Sequence, residues 1–99
     1  MTITTTIQEK TLYAALEGRI DTISGPQLEQ ELSGAIDNID TLVLNLEKID
    51  YVSSAGIRAM LSLHKKMAAK KGSMKLQNLN NSVLSVLKMT KLDSIFCVE

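Results

Sequence analysis

Two adjacent hydroxyls, Ser53 and Ser54, stand where an apolar run gives way to an amphipathic one, within Ser53-Ser54-Ala55-Gly56-Ile57. Upstream, Leu42-Val43-Leu44-Asn45-Leu46 reads as a buried strand; downstream, a long amphipathic segment reads as a helix. The first amides of a helix lack intrahelical partners, and its dipole is positive at that end. A serine there can simply cap the helix. A phosphate on it is also electrostatically favoured. The pair therefore offers two chemistries, a phosphorylatable hydroxyl or a plain cap.

Other chemistries find little support. No G-x-S-x-G surrounds Ser54, and the single histidine, His64, lies ten residues further along the same helix. At roughly 1.5 Å per residue that is about 15 Å, too far for proton transfer to a serine nucleophile. Neither glycine-rich phosphate motif is present, since Gly56 stands alone after its strand. No convergent His, Cys or carboxylate set suggests a metal, and His64 on an apolar stripe reads as a packed or half-buried side chain. Cys97 reads as a small core residue. Asp21, Glu47 and Asp50 can gather near one end of the sheet as loop caps or contact residues. No catalytic residue, cofactor or metal ligand is expected.

Phosphorylation would add about −1.5 to −2 charges to a chain whose formal net charge is zero. At a helix N-terminus the domain gains about 0.3–1 kcal/mol from the dipole. A partner docked on the same spot loses about 2–5 kcal/mol to a misplaced buried charge. The larger effect falls on the interface, so the switch expected is one of binding rather than of folding.

The elements that position these serines follow from pattern. Residues 2–7 and 11–17 read as two strands joined by a short turn, with Gly18 ending the second. Pro26 suits the first turn of a helix capped by Ser24 or Gly25, with Leu28, Leu32 and Ile36 at helical spacing. The strand at 41–46 is apolar enough to be covered on both faces or nearly so, and residues 47–52 read as a connector. A second helix over about 54–70 carries Ile57, Met60, Leu61, His64, Met67 and Ala68 as one stripe, and Gly72 lies past its end. A strand at 74–79, a short helix capped by Asn80 or Asn81, and a last strand at 94–98 complete the order β-β-α-β-α-β-α-β. This is an α/β fold with a mixed, mostly parallel sheet, an antiparallel N-terminal edge and helices packed on it.

Ninety-nine residues make one domain, 1–99, with a 44% hydrophobic content suited to a folded core. Eleven basic residues balance eleven acidic ones and aromatics are scarce, which argues against nucleic acid. Lys65-Lys66 and Lys70-Lys71 read as solvated cations on the last turns of the second helix. One cysteine excludes an internal disulfide. The N-terminus lacks a signal-like pattern and no run is long enough for membrane insertion, so a cytoplasmic protein is expected.

Several segments together resemble the STAS domain, the fold of bacterial anti-sigma factor antagonists. They include Leu16-Glu17-Gly18-Arg19-Ile20-Asp21, the strand Leu42 to Leu46, Tyr51-Val52-Ser53-Ser54-Ala55-Gly56-Ile57, Leu76-Gln77-Asn78-Leu79, Val83-Leu84-Ser85-Val86-Leu87 and Lys91-Leu92-Asp93-Ser94-Ile95-Phe96. The resemblance implies an antagonist that binds an anti-sigma factor, itself a serine kinase, and is released when phosphorylated. A serine phosphatase resets the switch. Alignment on Gly56 places the phosphoacceptor at Ser54 and the family's acidic residue at Asp21. Ser53 stands where the family often has aspartate, which makes it a minor rival acceptor. Asp21, Ser53, Gly56 and Arg58 are the implied partner contacts. Relatives commonly carry another helix after the last strand, and none follows here before Glu99. STAS domains also occur as accessory subunits bound to the ATPase of lipid-transport ABC systems, the alternative function.

Overall fold

A tight turn at Glu9 and Lys10, with Glu9 at a left-handed φ of 57°, sets Thr2–Gln8 (β1) antiparallel against Thr11–Ile20 (β2). The computed structural model describes residues 1–98. After β2 come Ser24–Ser33 (α1), Thr41–Val52 (β3), Ser54–Ala69 (α2), Ser73–Gln77 (β4) and Asn81–Met89 (α3). A 3-10 turn at Leu92–Ser94 leads to Cys97–Val98 (β5). The sheet order is β1-β2-β3-β4-β5, parallel after the first pair.

Consecutive parallel strands joined by right-handed crossovers bring all three helices to one face of the sheet. Leu12, Ala14 and Leu16 of β2, Leu42, Leu44 and Leu46 of β3, and Met74 and Leu76 of β4 are buried on that face. They form one aliphatic core with Leu28, Leu32, Met60, Leu63, Met67 and Leu87. The opposite face is open, which corrects the expectation that the third strand is covered on both sides. Tyr13, Ala15, Glu17 and Glu47 are exposed there. Val43 is nonetheless buried, lying between Tyr13 and Lys75 in the register.

Four boundaries differ from the sequence pattern, one being the strand expected at 74–79, which is Ser73–Gln77 and stops before Asn78 at a left-handed φ of 58°. Gly18, at φ +117°, does not end β2, and residues 47–52 do not leave the sheet. The two strands stay paired to Ile20 opposite Val52 through two register irregularities, after Ala15 and after Gly18. Each shift changes the phase of the side chains, so Ile49 and Val52 are buried although strict alternation from Leu46 is broken. The last strand is two residues long, because the 3-10 turn takes up Leu92 to Ser94.

On α2, Leu63 is fully buried and Ala68 is exposed, so the stripe is centred on Gly56, Met60, Leu63 and Met67. Leu61 and His64 flank it half-buried, with the His64 ring edge-on to Phe96 at 5.6 Å. Cys97 is exposed, not a core residue, because Phe96 takes the buried position beside it. The α2 lysines do more than meet solvent. Lys66 donates to Ser33 at 2.8 Å and to Glu29 at 3.3 Å, and Lys70 donates to the carbonyls of Ile36 and Asp37.

Candidate functional site

The β2 and β3 strands end together, Ile20 beside Val52, so the chain segments that follow them start from a common edge. The Ser53 amide donates to the Ile20 carbonyl at 2.8 Å, tying the entry of α2 to the end of β2. Ser53 is extended (φ −87°, ψ 175°) and its hydroxyl accepts the Gly56 amide at 3.2 Å, while its carbonyl takes the Ile57 amide at 2.9 Å. That is the geometry of a serine N-cap. Ser54 is the first helical residue and is exposed. The amides of Ser54 and Ala55 have no acceptor among the described residues. Two serines that looked alike in sequence are thus separated: one hydroxyl is committed to the cap and the other faces solvent beside free amides.

Gly56, expected among the partner contacts, is buried. A Cβ at that position would come within 2.5 Å of the Ile20 carbonyl oxygen and 2.7 Å of the Ile20 Cγ2. The absence of a side chain there lets α2 approach the end of β2. Gly25 makes a similar approach from α1, where a Cβ would lie 3.1 Å from the Ala55 carbonyl oxygen. The first turns of the two helices therefore sit side by side.

Asp21 follows Ile20 directly and its carboxylate turns toward α1. It accepts the amides of Ile23 and Ser24, both at 3.0 Å. Ser24 returns the bond, its hydroxyl accepting the Asp21 amide at 2.9 Å and donating to the Arg19 carbonyl. The expected capping by Ser24 or Gly25 is replaced by this reciprocal arrangement, with Ser24 already helical. The Ser24 amide, then the Ile23 amide, hold the Asp21 carboxyl below the usual carboxylate range, with smaller help from the Ser24 hydroxyl and Arg19. Asp21 is brought to the same end of the sheet as Ser54, but its oxygens serve α1.

Arg58 lies one turn beyond Ser54, exposed, and has no hydrogen bond or ion pair among the described residues. Two features escaped the sequence pattern. Ile23 is 82% exposed at the start of α1, the largest apolar surface at this end. Arg19 lies 4.8 Å over the Tyr51 ring, both exposed and adjacent in the register. An isolated isoleucine in a polar loop was the only signal for the first, and the second depends on a pairing that the register irregularities hide. Among the described residues no group of acidic, histidine or cysteine side chains could hold a metal ion. Among the same described residues no helix is long and apolar enough to cross a membrane.

A single layer of helices on a serially ordered sheet, with an exposed serine opening the second helix, defines a small two-layer α/β domain. The STAS domain family model matches residues 2–99, and the chain belongs to that family. It is 35% identical to BtrV of Bordetella bronchiseptica, named as an anti-sigma factor antagonist, over 88% of this chain and 76% of the relative. It is 26% identical to the anti-sigma-B factor antagonist of Bacillus subtilis, over 92% of this chain and 84% of the relative. The phosphorylated form of the Bacillus cell fate determinant SpoIIAA superposes with a TM-score of 0.78 at 20% identity, covering 99% of this chain and 91% of that one. At that identity the likeness is one of fold.

Proposed function

We propose that residues 1–99 form a single non-enzymatic STAS domain acting in the cytoplasm as an anti-sigma factor antagonist, switched by phosphorylation of Ser54. The unmodified form binds an anti-sigma factor that is also a serine kinase. The phosphorylated form is released, and a serine phosphatase restores it. One observation carries the choice of residue: Ser54 presents a solvent-facing hydroxyl on the first helical residue, whereas the Ser53 hydroxyl is held by the Gly56 amide. The relatives named as antagonists support the class of partner.

The contact surface is the shared start of α1 and α2, where Ser54, Arg58 and Ile23 are all exposed. Asp21 and Ser53 belong to it as the residues that hold the two first turns in place. Gly56 contributes by its close packing. A phosphate inserted into such a contact weakens binding by about 2–5 kcal/mol, or about thirtyfold to several thousandfold. The test is calorimetric titration of the cognate kinase with Ser54→Ala and Ser54→Asp. Ser54→Ala is expected to bind like the unmodified chain and to resist release by ATP, while Ser54→Asp binds weakly. Equal affinity of the two variants would remove Ser54 from the switch.

A further inference from the structure

The two edges of the sheet are finished differently. At one side β5 is two residues long, too short to template another strand. At the other, β1 pairs, among the described residues, only with β2 and runs seven residues without a register irregularity. Thr2 to Gln8 contains no charged residue and no proline. Lysines, prolines and bulges are the devices that normally keep an edge strand from pairing with another chain, and β1 has none of them.

The order of residues along that edge says what fits it. Ile3-Thr4-Thr5-Thr6-Ile7 reads the same in both directions about Thr5. A two-fold axis through an antiparallel pair of identical strands matches a residue with its mirror position in the second copy. An axis at Thr5 therefore sets Ile3 opposite Ile7, Thr4 opposite Thr6, and Thr5 opposite itself. β-branched residues paired across antiparallel strands are favourable cross-strand partners. Displacing the register by two residues would set isoleucine against threonine, and by one would turn the side chains to opposite faces. The exposures agree with this axis. Ile7 is 60% exposed while Ile3 is half-buried. Both pair with buried residues of β2, Ile3 with Leu16 and Ile7 with Leu12, so they share the helix-bearing face. The axis brings Ile7 of each copy against Ile3 of the other and continues the apolar layer across the junction. Glu9 and Lys10 fall outside the ladder, in the turn. The net charge of zero sets up no long-range repulsion between copies.

We propose that β1 pairs antiparallel with β1 of a second copy about Thr5, joining two five-stranded sheets into one of ten strands. A seven-residue ladder with two isoleucine pairs is small beside the roughly 1,000 Å² of a stable interface, so the dimer is weak and reversible. The axis reverses the strand direction between copies, and the two Ser54 ends lie at opposite ends of the joined sheet. This pairing does not depend on the signalling role.

Sedimentation equilibrium of the full chain from about 1 µM to about 1 mM is expected to show reversible monomer–dimer exchange. Thr5 is exposed in the monomer, so Thr5→Lys and Thr5→Glu keep the fold, as circular dichroism will report. Each variant places like charges at the axis and weakens association by about tenfold or more. An equimolar mixture of the two recovers a mixed dimer, since only an axis at residue 5 sets lysine opposite glutamate. A Thr5→Cys, Cys97→Ser chain supplies an independent reading: on mild oxidation it forms a disulfide-linked dimer. A chain that stays monomeric throughout, a dimer indifferent to Thr5→Lys, or a mixture that recovers nothing overturns the proposal.

Discussion

Because the Ser53 hydroxyl accepts the Gly56 amide, Ser53→Ala removes a cap and is expected to cost about 1 kcal/mol in urea unfolding. Ser54 is exposed and its hydroxyl caps nothing, so Ser54→Ala should stay within about 0.5 kcal/mol of the parent. If the two costs are reversed, the cap and the modifiable residue have been interchanged. Gly56→Ala is a sharper case. The added methyl group meets Ile20 at 2.5 and 2.7 Å and the Val52 Cγ1 at 3.0 Å. Backbone cannot yield as a flexible side chain can, and a loss of about 1–3 kcal/mol is expected by the same measurement. Capping is a local pattern, which is why the serine pair was legible in the sequence. The burial of Gly56 was not, because the residue that excludes a Cβ, Ile20, lies far away in the chain and meets it only in the folded sheet.

Between elements, a polar seam links α1 to α2, while both helices share one apolar core with the sheet. Ser62 donates to Glu29 at 2.7 Å and Lys66 adds an ion pair at 3.3 Å, but the charged partners are 36% and 45% exposed. Solvent screening leaves Glu29→Gln a cost below about 1 kcal/mol. Leu63 is fully buried, and Leu63→Ala is expected to cost about 2–5 kcal/mol. Chemical denaturation of the two variants side by side decides whether the polar seam or the shared core holds the helices. The helices themselves were legible from apolar spacing at Leu28 and Leu32, and at Met60 and Met67. The second half of β3 was not. Glu47, Lys48 and Asp50 break the alternation that marks a strand, and the phase shift that accommodates them exists only in the pairing with β2. The same limit applies at Cys97, which is exposed because its neighbour Phe96 takes the buried position in the folded sheet.

At the scale of the whole molecule, two depressed carboxyls tie stability to pH. The Ser24 and Ile23 amides lower Asp21, and the Ser62 hydroxyl, followed by Lys66, lowers Glu29. A carboxyl whose folded value lies below its unfolded one stabilises fully above the unfolded value and loses that contribution as pH falls through the folded one. Stability should therefore decline from about pH 5 downward. In urea unfolding across pH, the Asp21→Asn, Glu29→Gln double variant should decline less steeply, and an unchanged slope would assign acid sensitivity to other groups. The seam at Gly56 has a consequence in time. No space for even a methyl group separates the start of α2 from the end of β2, so on the proposed reading a phosphate on Ser54 alters the surface potential of a rigid platform without rebuilding its shape. Such a switch waits on no slow rearrangement of its own. Its tempo is set by turnover of the kinase and phosphatase and by the residence time of the complex, and the phosphorylated and unmodified chains should superpose while behaving as opposites.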